Sequence, residues 1–198
     1  MQVKLLACTP EPELVCAKAM RACRSKQSAS ELELSREEVS RLIRTAKRRG
    51  HLSVLEHACF TFSISGISRA CSHQLVRHRM ASYSQQSHRA VAMTPSDVVV
   101  PPSIQQNNES FEVFRKSVGS SFNAFSKLRK LGVCLEDARY VLPNALTTNI
   151  TVTMNARELL HFFKLRLDPS AQWEIRELTR RMLQEVKRAA PILFEHAE

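Results

Sequence analysis

A chain of 198 residues with 43% hydrophobic content suits one compact domain with a core of its own. Its 29 Lys and Arg against 19 Asp and Glu leave a net charge of +10, which points to polyanionic partners, either nucleic acid or nucleotide-like small molecules, without choosing between them. No apolar run approaches the ~20 residues of a membrane span, the N-terminus carries no signal-peptide pattern, and the six cysteines include no C-x-x-C pair. A cytoplasmic protein with reduced thiols is the expectation.

In chain order, Val3, Leu5 and Ala7 alternate as a first strand. Thr9-Pro10 then reads as an N-cap followed by proline at the first helical position, opening a helix through Leu14, Ala17 and Met20. Ser35-Arg36-Glu37-Glu38 has capping-box spacing and starts a helix with Val39, Leu42, Ile43 and Ala46 inward, stopped at Arg48-Arg49-Gly50. His51 to His57 is a loop or a single turn; Phe60, Phe62 and Ile64 then alternate in a strand that Gly66 is expected to end. Ile67 to Arg79 is expected as a helix that turns extended or irregular after Met80.

Pro95, Pro101 and Pro102 mark a surface loop. Phe111, Phe114, Val118, Phe122 and Phe125 recur at helical spacing up to Gly132, an aromatic stripe for core or subunit packing. A shorter helix from Leu135 to Leu142 is stopped by Pro143, and Ile150, Val152 and Met154 form a further strand. Asn155 to Glu158 caps a helix reaching Leu167, and Asp168-Pro169 is expected to start the last one, on Trp173, Leu178, Met182 and Val186. This mixture predicts an α+β fold, with a small, mostly antiparallel sheet and long packed helices.

One stretch concentrates chemistry. Gln74 to Arg89 holds Arg77, His78, Arg79 and Arg89 beside Ser82, Tyr83, Ser84, Gln85, Gln86, Ser87 and His88, with no Asp, Glu or Gly. Guanidinium forks match phosphate or carboxylate oxygens, and hydroxyls and carboxamides fix orientation or read the edge of a base. Three adjacent cationic or titratable groups repel unless an anion joins them, which favours a binding site over a solvated basic run. With four glycines there is neither a G-x-G-x-x-G nor a Walker loop, so a phosphate here is held by side chains. No metal-ligand spacing occurs; His51 and His57 read as structural.

On the helix after Asn155, Leu159, Phe162 and Arg166 continue its stripe, while Arg157 and His161 share another face. Arg166 therefore closes an apolar stripe, and either snorkels past the helix end or meets an anion. Arg139 is equally open. Cys71 reads as a small buried residue, not an activated thiolate.

Arg77-His78-Arg79, seven residues and then Ser87, followed by Arg89, resembles the signature of flavin-dependent thymidylate synthases. Ser53 to His57, Phe60-Thr61-Phe62, Ser68-Arg69-Ala70, His73 to Val76, Ala138 to Pro143, Asn155 to Leu159 and Ala171 to Ile175 agree in order, so the likeness spans roughly residues 3 to 190. It departs at Ala90, where many members have an aromatic residue, and at Gln85 and His88, where some have Glu and then Gly or Gln. The resemblance implies a single domain over residues 1–198 with that family's fold, an FAD-containing homotetramer whose active sites are shared between subunits, and conversion of dUMP to dTMP. Methylenetetrahydrofolate would be the carbon donor and NADPH the reductant of the flavin, with no metal, nucleic acid or membrane as partner.

Carried over by position, the resemblance gives the FAD site Ser53, Arg77, His78, Arg79, Gln85, Asn155, Arg157 and His161. The dUMP site takes Gln74, Arg77, Gln85, Gln86, Ser87, Arg89, Arg139 and Arg166. Arg166 is the expected catalytic residue, contacting the uracil and favouring its ionised form. Three alternatives stand beside this. A basic nucleic-acid-binding protein lacks a helix-turn-helix or RNA-recognition pattern here; a histidine phosphatase would need glycine where Arg79 stands; a catalytically inactive nucleotide binder is separable only by turnover.

Overall fold

The computed structural model describes residues 1–91 and 93–197. Strand β1 spans Gln2–Cys8, as its alternation predicts. Helix α1 is Pro12–Ala22, so it begins two residues after the expected start. Thr9 cannot cap it, because the Thr9 hydroxyl accepts from Cys59 N–H at 2.9 Å and the Thr9 N–H donates to the Cys59 carbonyl at 2.9 Å. Glu11, in the left-handed region at φ 45°, turns the chain instead, and Pro12 takes the first turn. Helix α2, Arg36–Arg48, carries the full capping box: Ser35 accepts from Glu38 N–H, and the Glu38 carboxylate from Ser35 N–H. A 310 turn follows at Leu52–His57.

Strand β2, Cys59–Ser68, runs through Gly66 rather than ending there. Gly66 takes φ 69°, a value that only glycine adopts without cost, so the strand turns locally and continues. Helix α3 is only Arg69–Leu75, shorter at both ends than expected. Its front is held back by β2, and past Leu75 the backbone turns under the grip of a tyrosine described below. Strand β3, Ala81–Gln85, confirms the extended stretch after Met80.

Helices α4, Pro102–Gln105, and α5, Asn108–Lys130, follow, the latter capped by the Asn107 side chain on Ser110 N–H. Helix α6 covers Leu135–Ala138, and a 310 turn at Arg139–Val141 completes what was expected as one helix. Strand β4, Thr147–Asn155, leads into α7, Ala156–Arg166, whose Asn155 cap is as expected. Helix α8, Trp173–Ala189, starts from Gln172, whose side chain accepts from Glu174 and Ile175 N–H. Asp168 is instead engaged with Ser170 in the preceding turn. Helix α9 is Pro191–Phe194. No described helix is long and apolar enough to cross a membrane.

The strands form an antiparallel sheet in the order β1-β2-β4-β3. Period-2 alternation sends Phe60, Phe62 and Ile64 of β2, and Ile150, Val152 and Met154 of β4, to buried positions. Two compact units divide the chain. The first comprises residues 1–64, 75–84 and 151–198, and its core stacks Phe60 and Phe163 edge-on against Phe194, at centroid distances of 5.4 and 5.8 Å. The second comprises residues 65–74 and 85–150, where Val118, Phe122 and Leu146 are buried with Phe114, Val98, Met93 and Leu142 against them. The aromatic stripe of α5 is therefore core on its Val118 and Phe122 side, with Phe111 exposed.

Candidate active site

In the first unit, the Arg77-His78-Arg79 tripeptide sits in the turn between α3 and β3. His78 N–H donates to the Leu75 carbonyl at 3.2 Å, and the Tyr83 hydroxyl donates to the carbonyls of both Leu75 (2.9 Å) and His78 (2.8 Å). Burial, with the nearby Glu158 carboxylate, pushes the Tyr83 pKa up, so the hydroxyl keeps its proton for this clamp. The result separates the three residues: His78 points inward at 5% exposure, while Arg77 and Arg79 face solvent.

The buried imidazole is held on every side. Its Nδ1 lies 3.1 Å from Glu158 Oε1, and Arg166 Nε–H donates to its Nε2 at 3.1 Å. A guanidinium can only donate. Nε2 is therefore an acceptor, the proton sits on Nδ1, and it is donated to the Glu158 carboxylate. Burial lowers the His78 pKa; the bond to Glu158 opposes this and the Arg166 charge adds to it, leaving a neutral ring at neutral pH. The Phe162 ring meets it edge-on at 4.8 Å, and the His161 ring lies at 6.0 Å. Arg166, at the end of the apolar stripe of Leu159 and Phe162, thus has a specific partner and does not simply reach for water.

Within this network lies a cavity of about 590 Å³, lined by Asn155, Arg157, His161 and Lys164, by the carboxylates Glu56 and Glu158, and by Leu52, Met80 and Leu160. Cationic and amide donors next to apolar walls suit a phosphate-bearing cofactor with a flat ring body. Arg157 is meanwhile paired with Glu56 at 2.6 Å, both half exposed. Such an exposed pair stabilises little, so an anionic ligand can take over the guanidinium.

In the second unit the polar run after β3 is laid down by its own hydrogen bonds. Gln85 Nε2 donates to Ser72 Oγ at 2.9 Å and to Thr148 Oγ1 at 3.2 Å. Gln86 N–H donates to the Asn149 carbonyl at 2.8 Å, and its Oε1 accepts from Asn149 N–H at 3.1 Å. Ser87 Oγ accepts from Arg89 N–H at 3.2 Å. Arg89 and Arg139 then converge on one residue: Arg89 Nη1 bonds the Glu136 carboxylate at 3.0 Å, and Arg139 Nε the Glu136 carbonyl at 3.1 Å.

Arg69 joins this group, because burial and then the Arg139 charge lower its pKa. His88 is buried beside the same cations; its Nε2 lies 3.1 Å from the Thr147 carbonyl, and burial, with Arg69 and Arg139, lowers its pKa. Arg69 and Arg139, close enough to repel, and Arg89 on its exposed carboxylate give this unit cations that a dianion would relieve.

Of the expected residues, Asn155, Arg157 and His161 share the cavity wall, His78 and Arg166 are bonded, and Ser87, Arg89 and Arg139 lie within a few bonds of Glu136. Gln74, on α3, belongs to the second unit. Ser53 is exposed on the 310 turn, and its side chain, like those of Arg77 and Arg79, makes no hydrogen bond or ion pair among the described residues. Sequence reading missed Glu158, Tyr83 and Arg69. Glu158 was visible only as the fourth residue of a capping pattern, and Tyr83 only as one hydroxyl in a polar run. Arg69 had a usable signal, a lone cation between the apolar pairs of β2 and α3.

The Thymidylate synthase complementing protein family matches residues 4–192. A flavin-dependent thymidylate synthase from Geobacter sulfurreducens is 49% identical, covering 100% of this chain and 87% of its own length. One from Sulfolobus acidocaldarius is 48% identical, covering 100% and 76%. Among solved structures, a UMP/dUMP methylase, PolB, from Streptomyces cacaoi bound with 5-Br dUMP superposes with a TM-score of 0.84 over 98% of this chain and 93% of that one. At 23% identity, that likeness bears on the fold alone.

Proposed function

Because the chain belongs to the flavin-dependent thymidylate synthase family, we propose that it converts dUMP to dTMP by reductive methylation, with methylenetetrahydrofolate as carbon donor. The observation that carries this is the family match across residues 4–192, together with near-half identity to named synthases over the whole chain. Membership does not favour the nucleic-acid-binding reading.

The cavity beside α7 fits FAD by its donor set: Arg157 and Lys164 for phosphate, Asn155 and His161 for hydrogen bonding, Met80, Leu52 and Leu160 for the ring system. Arg77, Arg79 and Ser53, exposed nearby in sequence, are proposed to complete it, with Gln85. When bound, the flavin reduced by NADPH supplies the hydride. The chain's own residues bind and orient. Ser87, Arg89 and Arg139 are proposed to take the dUMP phosphate, with Gln74, Gln85 and Gln86 fixing the nucleoside; Arg77 is proposed to reach both ligands. Arg166 is proposed to face the uracil, where a placed guanidinium stabilises negative charge developing on the ring. His78 can hold that guanidinium without adding charge, since it is neutral. No cysteine is needed, and Cys71 is fully buried.

One domain over the whole chain and a homotetramer with shared active sites are part of the same reading. The test is the visible spectrum of the purified protein before and after NADPH and dUMP. A bound flavin that bleaches with NADPH, and dTMP formed once folate is added, is the expected result. A colourless protein that fails to take up FAD would overturn it.

A further inference from the structure

The carboxylate of Glu158 has an unexpected partner. Asn155 to Glu158 has the spacing of a capping box, and in α2 the equivalent residues, Ser35 and Glu38, close both halves of one. At α7 only one half forms: Asn155 Oδ1 accepts from Glu158 N–H at 2.9 Å, while the Glu158 side chain turns to His78 Nδ1. A carboxylate diverted from its local partner to a buried imidazole is set there for that ring. The ring in turn is fixed by the Tyr83 clamp on its backbone and by the Phe162 edge.

We propose that Glu158 is a positioning residue for Arg166: it holds His78 as the Nδ1–H tautomer, so that the Nε2 lone pair captures Arg166 Nε–H and sets the rotation of the guanidinium fork. The opposite tautomer would present N–H to N–H, and this hold on the fork would be lost. Two N–H groups face each other in that case, which no hydrogen bond can join. The lowered His78 pKa agrees, since a protonated ring has no lone pair to offer. This rests on the reading of Arg166 as the residue at the uracil; because Glu158 also lines the cavity beside α7, flavin content is measured in every variant.

The test has two arms. With 15N-labelled histidine and His78→Gln to identify the signal, the ring nitrogens of the wild-type protein should report protonated Nδ1 and bare Nε2. Glu158→Gln, whose amide can donate or accept, should mix the tautomers. A wild-type ring protonated on Nε2, or a tautomer unchanged by Glu158→Gln, would overturn the proposal. In turnover, Glu158→Gln should lower kcat roughly 10- to 100-fold with flavin still bound. In an Arg166→Met background, which has no donor to offer Nε2, it should cost less than about twofold of the residual turnover, because the link is already cut. Equal losses in both backgrounds would mean that Glu158 acts on packing and not through Arg166. If instead Arg166 variants turn over dUMP normally, the role given to Arg166 fails and with it the positioning role of Glu158, while the activity itself stands.

Discussion

At the scale of single residues, the candidate site is a set of cations each given a defined neighbour, and the neighbours decide what each can do. Arg166 is tied to a neutral imidazole, whereas Arg89 and Arg157 are lent to the exposed carboxylates Glu136 and Glu56. Arg166→Ala should therefore keep the flavin and lose most dUMP-dependent turnover; near-normal turnover would remove it from the mechanism. Arg69 differs again, being half-buried beside Arg139 with no side-chain bond among the described residues. Its charge is uncompensated until an anion arrives. Arg69→Met should raise KM for dUMP roughly 10- to 100-fold, the worth of one charged hydrogen bond, with kcat changed far less. An unchanged KM would make Arg69 a structural cation. Cys71→Ala should stay active in the same assay, and a folded but dead variant would require different chemistry.

At the scale of elements, the chain was legible wherever one local signal dominated. The capping box of α2, the alternation of β2 and β4 and the Asn155 cap of α7 all form as read. The misses have a common cause, which is competition from partners distant in sequence. Thr9 reads as a cap but is taken by Cys59, some fifty positions on; Pro10 then yields to Pro12. The expected helix through Arg79 stops at Leu75 because Tyr83 binds the carbonyls of Leu75 and His78, a contact no helical periodicity announces. For the site, the residue types and the signature were readable, and the resemblance supplied their roles. The wiring of Glu158, His78 and Arg166 was not, since it joins residues about eighty positions apart. Helix α2 carries none of the site residues, so it allows a clean control. Ser35→Ala breaks its box and should lower unfolding free energy by roughly 0.5–2 kcal/mol, measured in urea, with turnover per folded molecule unchanged.

For the molecule as a whole, two buried histidines couple stability to pH in the same direction. His78 and His88 both have pKa values lowered from 6.5, chiefly by burial, and lie in different units. In the unfolded chain each takes up a proton near its ordinary value. Between that value and the lowered folded one, the unfolded state therefore binds more protons than the native state, and unfolding is favoured as pH falls. Their contribution is fully present above about 6.5 and drains away below it, reaching its floor once the folded rings are themselves protonated. Each ring can tilt the unfolding free energy by at most about 1.4 kcal/mol per pH unit in that window. Stability measured from pH 7.5 to 5 should fall well before the carboxylates titrate, and His88→Asn should flatten the slope without abolishing it, because His78 remains. A profile level down to pH 5 would show that both rings accept protons in place. In the first unit, protonation of His78 would also remove the lone pair that holds Arg166. Turnover should then drop on the acid side in step with local protonation and ahead of global unfolding, an order that circular dichroism and initial rates on one sample would resolve.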